Sequence, residues 1–200
     1  MVSGARSPDI EASDLVTWRA PLWRIVRTSG EHARPWWEPR TYGPLATMRW
    51  DPHLPPPSEQ PGRGVLYAAD TLAGAAAEAW QAARRIDVRT GDPAVVRFTP
   101  KPLRLLDLTA AGRFLIRNGT AASAVMGSRR ECRRWAAGMV TARPDLDGLV
   151  TPSTLTGTNV VLFAAGAAKV PREPGLIHRA DDPTVHALLR RIAEEIGYGS

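Results

Sequence analysis

The stretch Val65-Leu66-Tyr67-Ala68-Ala69-Asp70-Thr71-Leu72-Ala73-Gly74-Ala75-Ala76-Ala77-Glu78 decides how this chain is read. Gly64 to Ala68 is a short apolar run, a candidate buried strand. Asp70 or Thr71 then offers a side-chain oxygen as an N-cap. An alanine-rich helix follows from Leu72 to about Arg85. Glu78 is the only charged residue between Thr71 and Trp80. A lone carboxylate among alanines either faces solvent or enters a pocket. Its small neighbours would let a ligand approach closely. Tyr67 sits just before the strand-to-helix turn.

Strands and helices intermix on both sides of this unit. Leu22–Arg27 reads as a strand, with Arg24 in its middle between Trp23 and Ile25. Such an arginine lies on an exposed face or aims at a bound anion. Residues 28–63 are rich in Pro, Gly and Trp, and Arg49-Trp50 lies near the end of this loop. A loop this long in a compact domain is functional or mobile, and its tryptophans are expected to pin it. Residues 94–98 and 103–108 read as strands, joined by the turn at Thr99-Pro100-Lys101-Pro102. Ser128 to about Ala142 is helical by composition. Residues 148–151 and 159–163 are strands, with a turn-rich link from Pro152 to Thr158. Asp182-Pro183 starts a last helix. Val185, Leu188, Leu189, Ile192 and Ile196 share one of its faces. The expectation is an α+β fold in a single domain over residues 18–200, after a flexible tail at residues 1–17.

The chain has 200 residues, enough for one domain with a sizeable core. Hydrophobic residues make up 44% and charged residues 23%, which argues against wholesale disorder. No run of about 18 apolar residues is present, so no membrane span is expected. The first residues lack the apolar core of a secretory signal. The single Cys132 excludes an intramolecular disulfide framework and a cysteine-rich zinc site. A cytoplasmic protein is the simplest expectation. The net charge is +6. Only Lys101 and Lys169 are lysine, so arginine supplies the rest of the basic charge. An anionic partner fits that balance, and so does GC-rich codon usage. The one dense basic cluster is Arg129, Arg130, Arg133 and Arg134.

Standard catalytic signatures are absent. There is no GxGxxG, no GxxxxGK[ST], no HExxH and no GxSxG. His32, His53, His178 and His186 are far apart in sequence, and no metal site is expected from them. Cys132, within the expected helix, reads as a packed residue rather than a nucleophile.

Five pieces, in order over residues 22–163, resemble the RES domain family. They are Leu22-Trp23-Arg24-Ile25; Thr47-Met48-Arg49-Trp50-Asp51-Pro52; the strand and helix from Val65 to Glu78; Leu106-Asp107-Leu108; and Asp147-Gly148-Leu149-Val150-Thr151-Pro152-Ser153 with Asn159-Val160-Val161-Leu162-Phe163. There are departures. The family's Gly-Gly before the arginine is missing here, its Asn is Asp51, and residues 55–61 look inserted. The family serine is matched by Ser153, with Ser128 as the candidate at an earlier place.

The resemblance implies a fold like that of ADP-ribosyltransferases, with central β-sheets and flanking helices. It implies NAD+ as substrate and no metal. It implies cleavage of the nicotinamide–ribose bond, by glycohydrolase or phosphorylase chemistry, or transfer of ADP-ribose to a protein. Many family members are toxins neutralised by an antitoxin, so an Xre-type antitoxin protein is an expected partner. Glu78 would stabilise the oxocarbenium-like sugar. Arg24, then Arg49, would hold the pyrophosphate, because a guanidinium fork can bind phosphate oxygens bidentately. Tyr67 would face the nicotinamide ring. Ser153 or Ser128, and Asn159, would contact the substrate. The competing class is a non-enzymatic nucleic-acid-binding module, resting on the basic charge and the tryptophans. Direct nucleic-acid binding and membrane binding are not expected.

Overall fold

Within Thr158–Phe163 the four consecutive apolar residues Val160, Val161, Leu162 and Phe163 are all buried, so both faces of the strand are covered there. A strand of that kind belongs in the middle of a covered sheet. It lies there in the computed structural model, which describes residues 7–109, 113–120, 127–153 and 155–200. The strands are β1 (Leu15–Trp18), β2 (Leu22–Arg27), β3 (Tyr42–Gly43), β4 (Ser58–Glu59) and β5 (Val65–Ala69). They continue as β6 (Pro93–Phe98), β7 (Leu103–Asp107), β8 (Gly148–Pro152), β9 (Thr158–Phe163) and β10 (Leu176–Arg179). The helices are α1 (Leu72–Ala79), α2 (Arg113–Arg117), α3 (Arg129–Ala142), α4 (Ala164–Ala167) and α5 (Pro183–Ile196).

Among the described residues, eight strands form one sheet in the order β1-β7-β8-β9-β5-β2-β6-β10. Only β7 and β8 run parallel; the other neighbours are antiparallel. β3 and β4 form a separate ribbon within the long loop. The central seam is narrow. β5 and β2 pair through Trp23 and Ala69 alone, whereas β5 and β9 pair along five residues.

Alternation sorts the core into two faces. Val65, Leu106, Leu149, Val161 and Phe163 face α2 and α3 on one side. Trp23, Ile25 and Val95 continue that face under α1 and α5. Leu22, Val26, Leu66, Val96, Val160 and Leu162 face the opposite side, covered by Trp36 and Val170. This is the expected mixed α+β single domain, a large central sheet flanked by helices. Among the described residues no helix is long and apolar enough to cross a membrane.

Three local expectations change. α1 stops at Ala79 rather than near Arg85. Trp80 leaves the helical region and packs toward the α5 cluster, and Arg84 has φ +46, which ends a right-handed helix. The sheet begins inside the segment read as a tail, since β1 pairs with β7 from Leu15. The same segment places Asp9, Glu11 and a buried Asp14 around Arg117 of α2. Residues 1–6 of that expected tail lie outside the described residues. Thr71, not Asp70, caps α1, accepting from the Gly74 N–H at 3.0 Å. The long loop is pinned by buried tryptophans as expected, with Trp36 and Trp50 inside the two cores.

Candidate active site

Glu78 projects from the last turn of α1 and is half-buried. Its Oε1 accepts two hydrogen bonds. Ser153 Oγ donates at 2.9 Å and Asn159 Nδ2 at 2.6 Å. Among the described residues nothing bonds Oε2. Ser153 follows β8, and Asn159 is the second residue of β9. The two donors therefore come from either end of one turn.

Ser153 has its own proton assigned by its neighbours. Its Oγ accepts the backbone N–H groups of Leu155 at 3.1 Å and Thr156 at 3.3 Å. A hydroxyl has one proton and two lone pairs, so that proton points to Glu78. Asn159 donates through Nδ2, and its buried Oδ1 has no partner among the described residues.

The turn is fastened to the start of α1. Asp70 Oδ1 accepts the Thr158 N–H at 3.1 Å, and the Asp70 N–H donates to the Thr158 carbonyl at 3.1 Å. Gly157 has φ +70, and its carbonyl accepts the Ser153 N–H at 3.0 Å. A side chain there would be strained, and its Cβ would lie 2.7 Å from Asp70 Oδ1.

Tyr67 lies on the same face as Asn159, because Tyr67 pairs with Val161 and Ala69 with Asn159. Burial, then the Asp51 carboxylate, pushes the Tyr67 hydroxyl upward, so it stays protonated. Glu78 acts in the same direction. Among the described residues the hydroxyl meets no partner at full hydrogen-bond geometry, although the Trp50 backbone lies beside it.

A second polar group underlies this wall. Asp51 is fully buried, and its Oδ2 accepts from Arg40 Nη2 at 2.9 Å and the Leu45 N–H at 2.7 Å. Its Oδ1 meets the Nδ1 of buried His53. Burial alone would raise the Asp51 carboxyl. The His53 and Leu45 hydrogen bonds and the Arg40 charge outweigh it and hold the group at about 2. Asp51 was legible only as a departure from the family's Asn, and His53 only as an isolated histidine. Arg40 carried no signal, since it contacts Asp51 through a fold of the irregular loop.

Arginines fasten that loop to α3. Arg49 Nη1 donates to the Gly127 carbonyl and approaches Cys132 Sγ at 3.6 Å. Arg133 Nη1 donates to the carbonyls of Ala46 at 2.8 Å and Met48 at 3.2 Å. Arg63 reaches the carbonyls of Pro52 and Ala137 and the Thr141 hydroxyl. Cys132 is buried in α3 as expected. Burial pushes its thiol up, against a smaller opposing effect of Arg49.

The expected site residues thus divide. Glu78, Ser153, Asn159 and Tyr67 come together. Arg49 lies on the same side of the sheet, at the start of α3. Ser128 is the N-cap of α3, where its Oγ accepts the Glu131 N–H at 3.2 Å. Arg24 points with Leu22 and Val26 to the other face. There its Nη1 donates to the Trp36 carbonyl at 2.7 Å, while the buried Nε has no partner among the described residues. Burial lowers the Arg24 pKa. Among the described residues no three His, Cys, Asp or Glu side chains are placed to share a metal ion.

The fold is shared with a chain of the M. tuberculosis MbcT–MbcA toxin–antitoxin complex. The two are 20% identical, with a TM-score of 0.59, over 88% of this chain and 92% of that one. No curated protein matches the sequence. The family model for the RES domain matches residues 21–186, a span that holds Arg24, Arg49, Tyr67, Glu78, Ser128, Ser153 and Asn159. With that span matched and the sheet and its flanking helices in place, the chain belongs to the RES domain family.

Proposed function

We propose that this chain is a toxin-type enzyme that cleaves the nicotinamide–ribose bond of NAD+, with Glu78 as its catalytic carboxylate. The observation that carries this reading is the asymmetry of Glu78. Two donors fix Oε1. Among the described residues Oε2 has no partner, which leaves it for a ligand.

Breaking the bond between ribose C1′ and the nicotinamide nitrogen sends the electron pair to nicotinamide, which leaves neutral. Positive charge then develops on the sugar. A carboxylate held beside it stabilises that charge without reorganising. Tyr67, protonated and within electrostatic reach of Glu78, supplies a flat wall and a hydroxyl for the nicotinamide end. Arg49 is better placed than Arg24 for the pyrophosphate, since it shares the face of Tyr67 whereas Arg24 lies across the sheet. Water attacking C1′ would make a glycohydrolase, and phosphate a phosphorylase. A protein side chain would make an ADP-ribosyltransferase.

The toxin–antitoxin complex with the same fold supports an antitoxin partner for this chain, one that suppresses the activity. The nucleic-acid reading loses part of its footing. Arg133, one of the four clustered basic residues, is engaged by the carbonyls of Ala46 and Met48 within the protein.

The test is NAD+ turnover by the purified chain, with and without inorganic phosphate, followed by the product mass. ADP-ribose in both buffers indicates hydrolysis, and ADP-ribose phosphate indicates phosphorolysis. Glu78→Gln preserves shape and is expected to lower turnover by at least about a hundredfold with an unchanged melting temperature. Full turnover by Glu78→Gln would overturn the assignment.

A further inference from the structure

We propose that Asp70 is a positioning residue for this site: its carboxylate locks the turn between β8 and β9 so that Ser153 and Asn159 both aim at Glu78 Oε1. The inference rests on the reading of Glu78 above, and it concerns a residue whose sequence position suggested only a helix cap. Thr71 performs that capping. Asp70 is therefore available for another task, and its contacts show which.

Asp70 clasps Thr158 at two points, through its own N–H and through Oδ1. Thr158 directly precedes Asn159, the first donor to Glu78. The adjoining Gly157 carbonyl holds the N–H of Ser153, the second donor. A single carboxylate thus borders both ends of the hydrogen-bond pair. Gly157 has no Cβ to displace it, and any side chain there would press on Oδ1 at 2.7 Å. The same turn meets α1 at another point. A Cβ on Gly74 would approach the Thr156 carbonyl at 3.3 Å, so helix and turn are closely packed. Glu78 leaves that helix one turn later. The distance between the carboxylate and its donors is therefore set where the turn seats on the helix start, and Asp70 is the polar bond across that joint.

The role needs an acceptor at Oδ1 and places no demand on charge. Asp70→Asn retains such an acceptor and Asp70→Ala removes it. In Asp70→Ala, kcat for NAD+ cleavage is expected to fall at least about tenfold while KM changes less than about twofold, the pattern of a lost transition-state contact. Asp70→Asn is expected to restore kcat. Adding Asp70→Ala to Ser153→Ala is expected to cost less than the product of the two single effects, because part of the Asp70 effect runs through the hydrogen bond that Ser153→Ala already removes.

A readout without turnover keeps this separate from the functional reading. Thr158 amide exchange is expected to accelerate in Asp70→Ala, and the Asn159 side-chain amide resonances to move. Asp70→Asn is expected to reverse both. If the parent protein leaves NAD+ intact, the functional reading fails, and these two signals alone decide the brace. Unchanged exchange at Thr158 in Asp70→Ala would overturn it. So would losses in the double variant that multiply in full. Should Asp70→Ala not fold, Asp70→Glu displaces the acceptor, and the same losses are expected of it.

Discussion

Ser153 Oγ donates a hydrogen bond to Glu78 Oε1 at 2.9 Å, although 75 positions separate the two residues. Two backbone amides occupy the serine's lone pairs, so its proton has one destination. This makes Ser153 a partner of the carboxylate rather than a nucleophile. Asn159 does the same from the other end of the turn. Ser153→Ala is expected to reduce kcat by about tenfold, the scale of one hydrogen bond to a charged group. Asn159→Asp should be worse than Asn159→Ala, because it sets a second carboxylate against the first. Steady-state NAD+ kinetics on the three variants check the order, and equal activity of Asn159→Asp and the parent would refute it.

The buried Asp51 makes stability depend on acid pH. Its folded pKa, about 2, lies below the ordinary 3.8, so folding favours the ionised form. The stabilisation is present above pH 4 and lost as pH falls toward 2. It is on the order of 2 kcal/mol. Asp51→Asn removes this dependence. The gap in unfolding free energy between parent and Asp51→Asn should narrow across that interval, as read by urea titrations at successive pH values. Parallel curves would show that Asp51 contributes no linkage.

Gly148 begins β8 with φ +152, opposite Leu162 of β9. A Cβ there would lie 2.0 Å from the Val161 carbonyl oxygen, which belongs to the central strand and cannot move aside. Gly148→Ala is expected to cost about 3 kcal/mol or more. A thermal melt decides it, since a midpoint within a degree or two of the parent is incompatible with that contact.

Arg130 and Arg133 are nearby in sequence but differ in task. Arg133 holds the carbonyls of Ala46 and Met48, whereas Arg130 is exposed. Arg133→Ala is expected to destabilise by about 1–3 kcal/mol, and Arg130→Ala by less than about 0.5 kcal/mol. Chemical denaturation of both compares them directly. Equal effects would mean that the loop does not depend on Arg133.

Much of the fold was legible because it is written locally. The apolar runs of β5, β8 and β9, the Asp182-Pro183 start of α5 and the helical composition from Ser128 each depend on a few adjacent residues. β1 was missed for the converse reason. Four residues with no clear alternation become a strand because the edge of β7 offers hydrogen bonds. The end of α1 was also missed, since Trp80 leaves the helix to pack against a cluster built by α5.

Sequence by itself determined that a lone carboxylate would sit in the helix of a strand–turn–helix unit, and that Ser153 and Asn159 would flank a turn between strands. Those are consequences of composition and spacing within single segments. Only the tertiary structure decided what these groups face. Strand register put Tyr67 and Asn159 on one side and Arg24 on the other, and a period of two gives no sign of which face is which until strands pair. Packing of the turn on the helix start gave Asp70 to Thr158 and left the cap to Thr71. Side-chain proton placement at Ser153 required all three of its partners at once, and those partners meet only when the chain has folded.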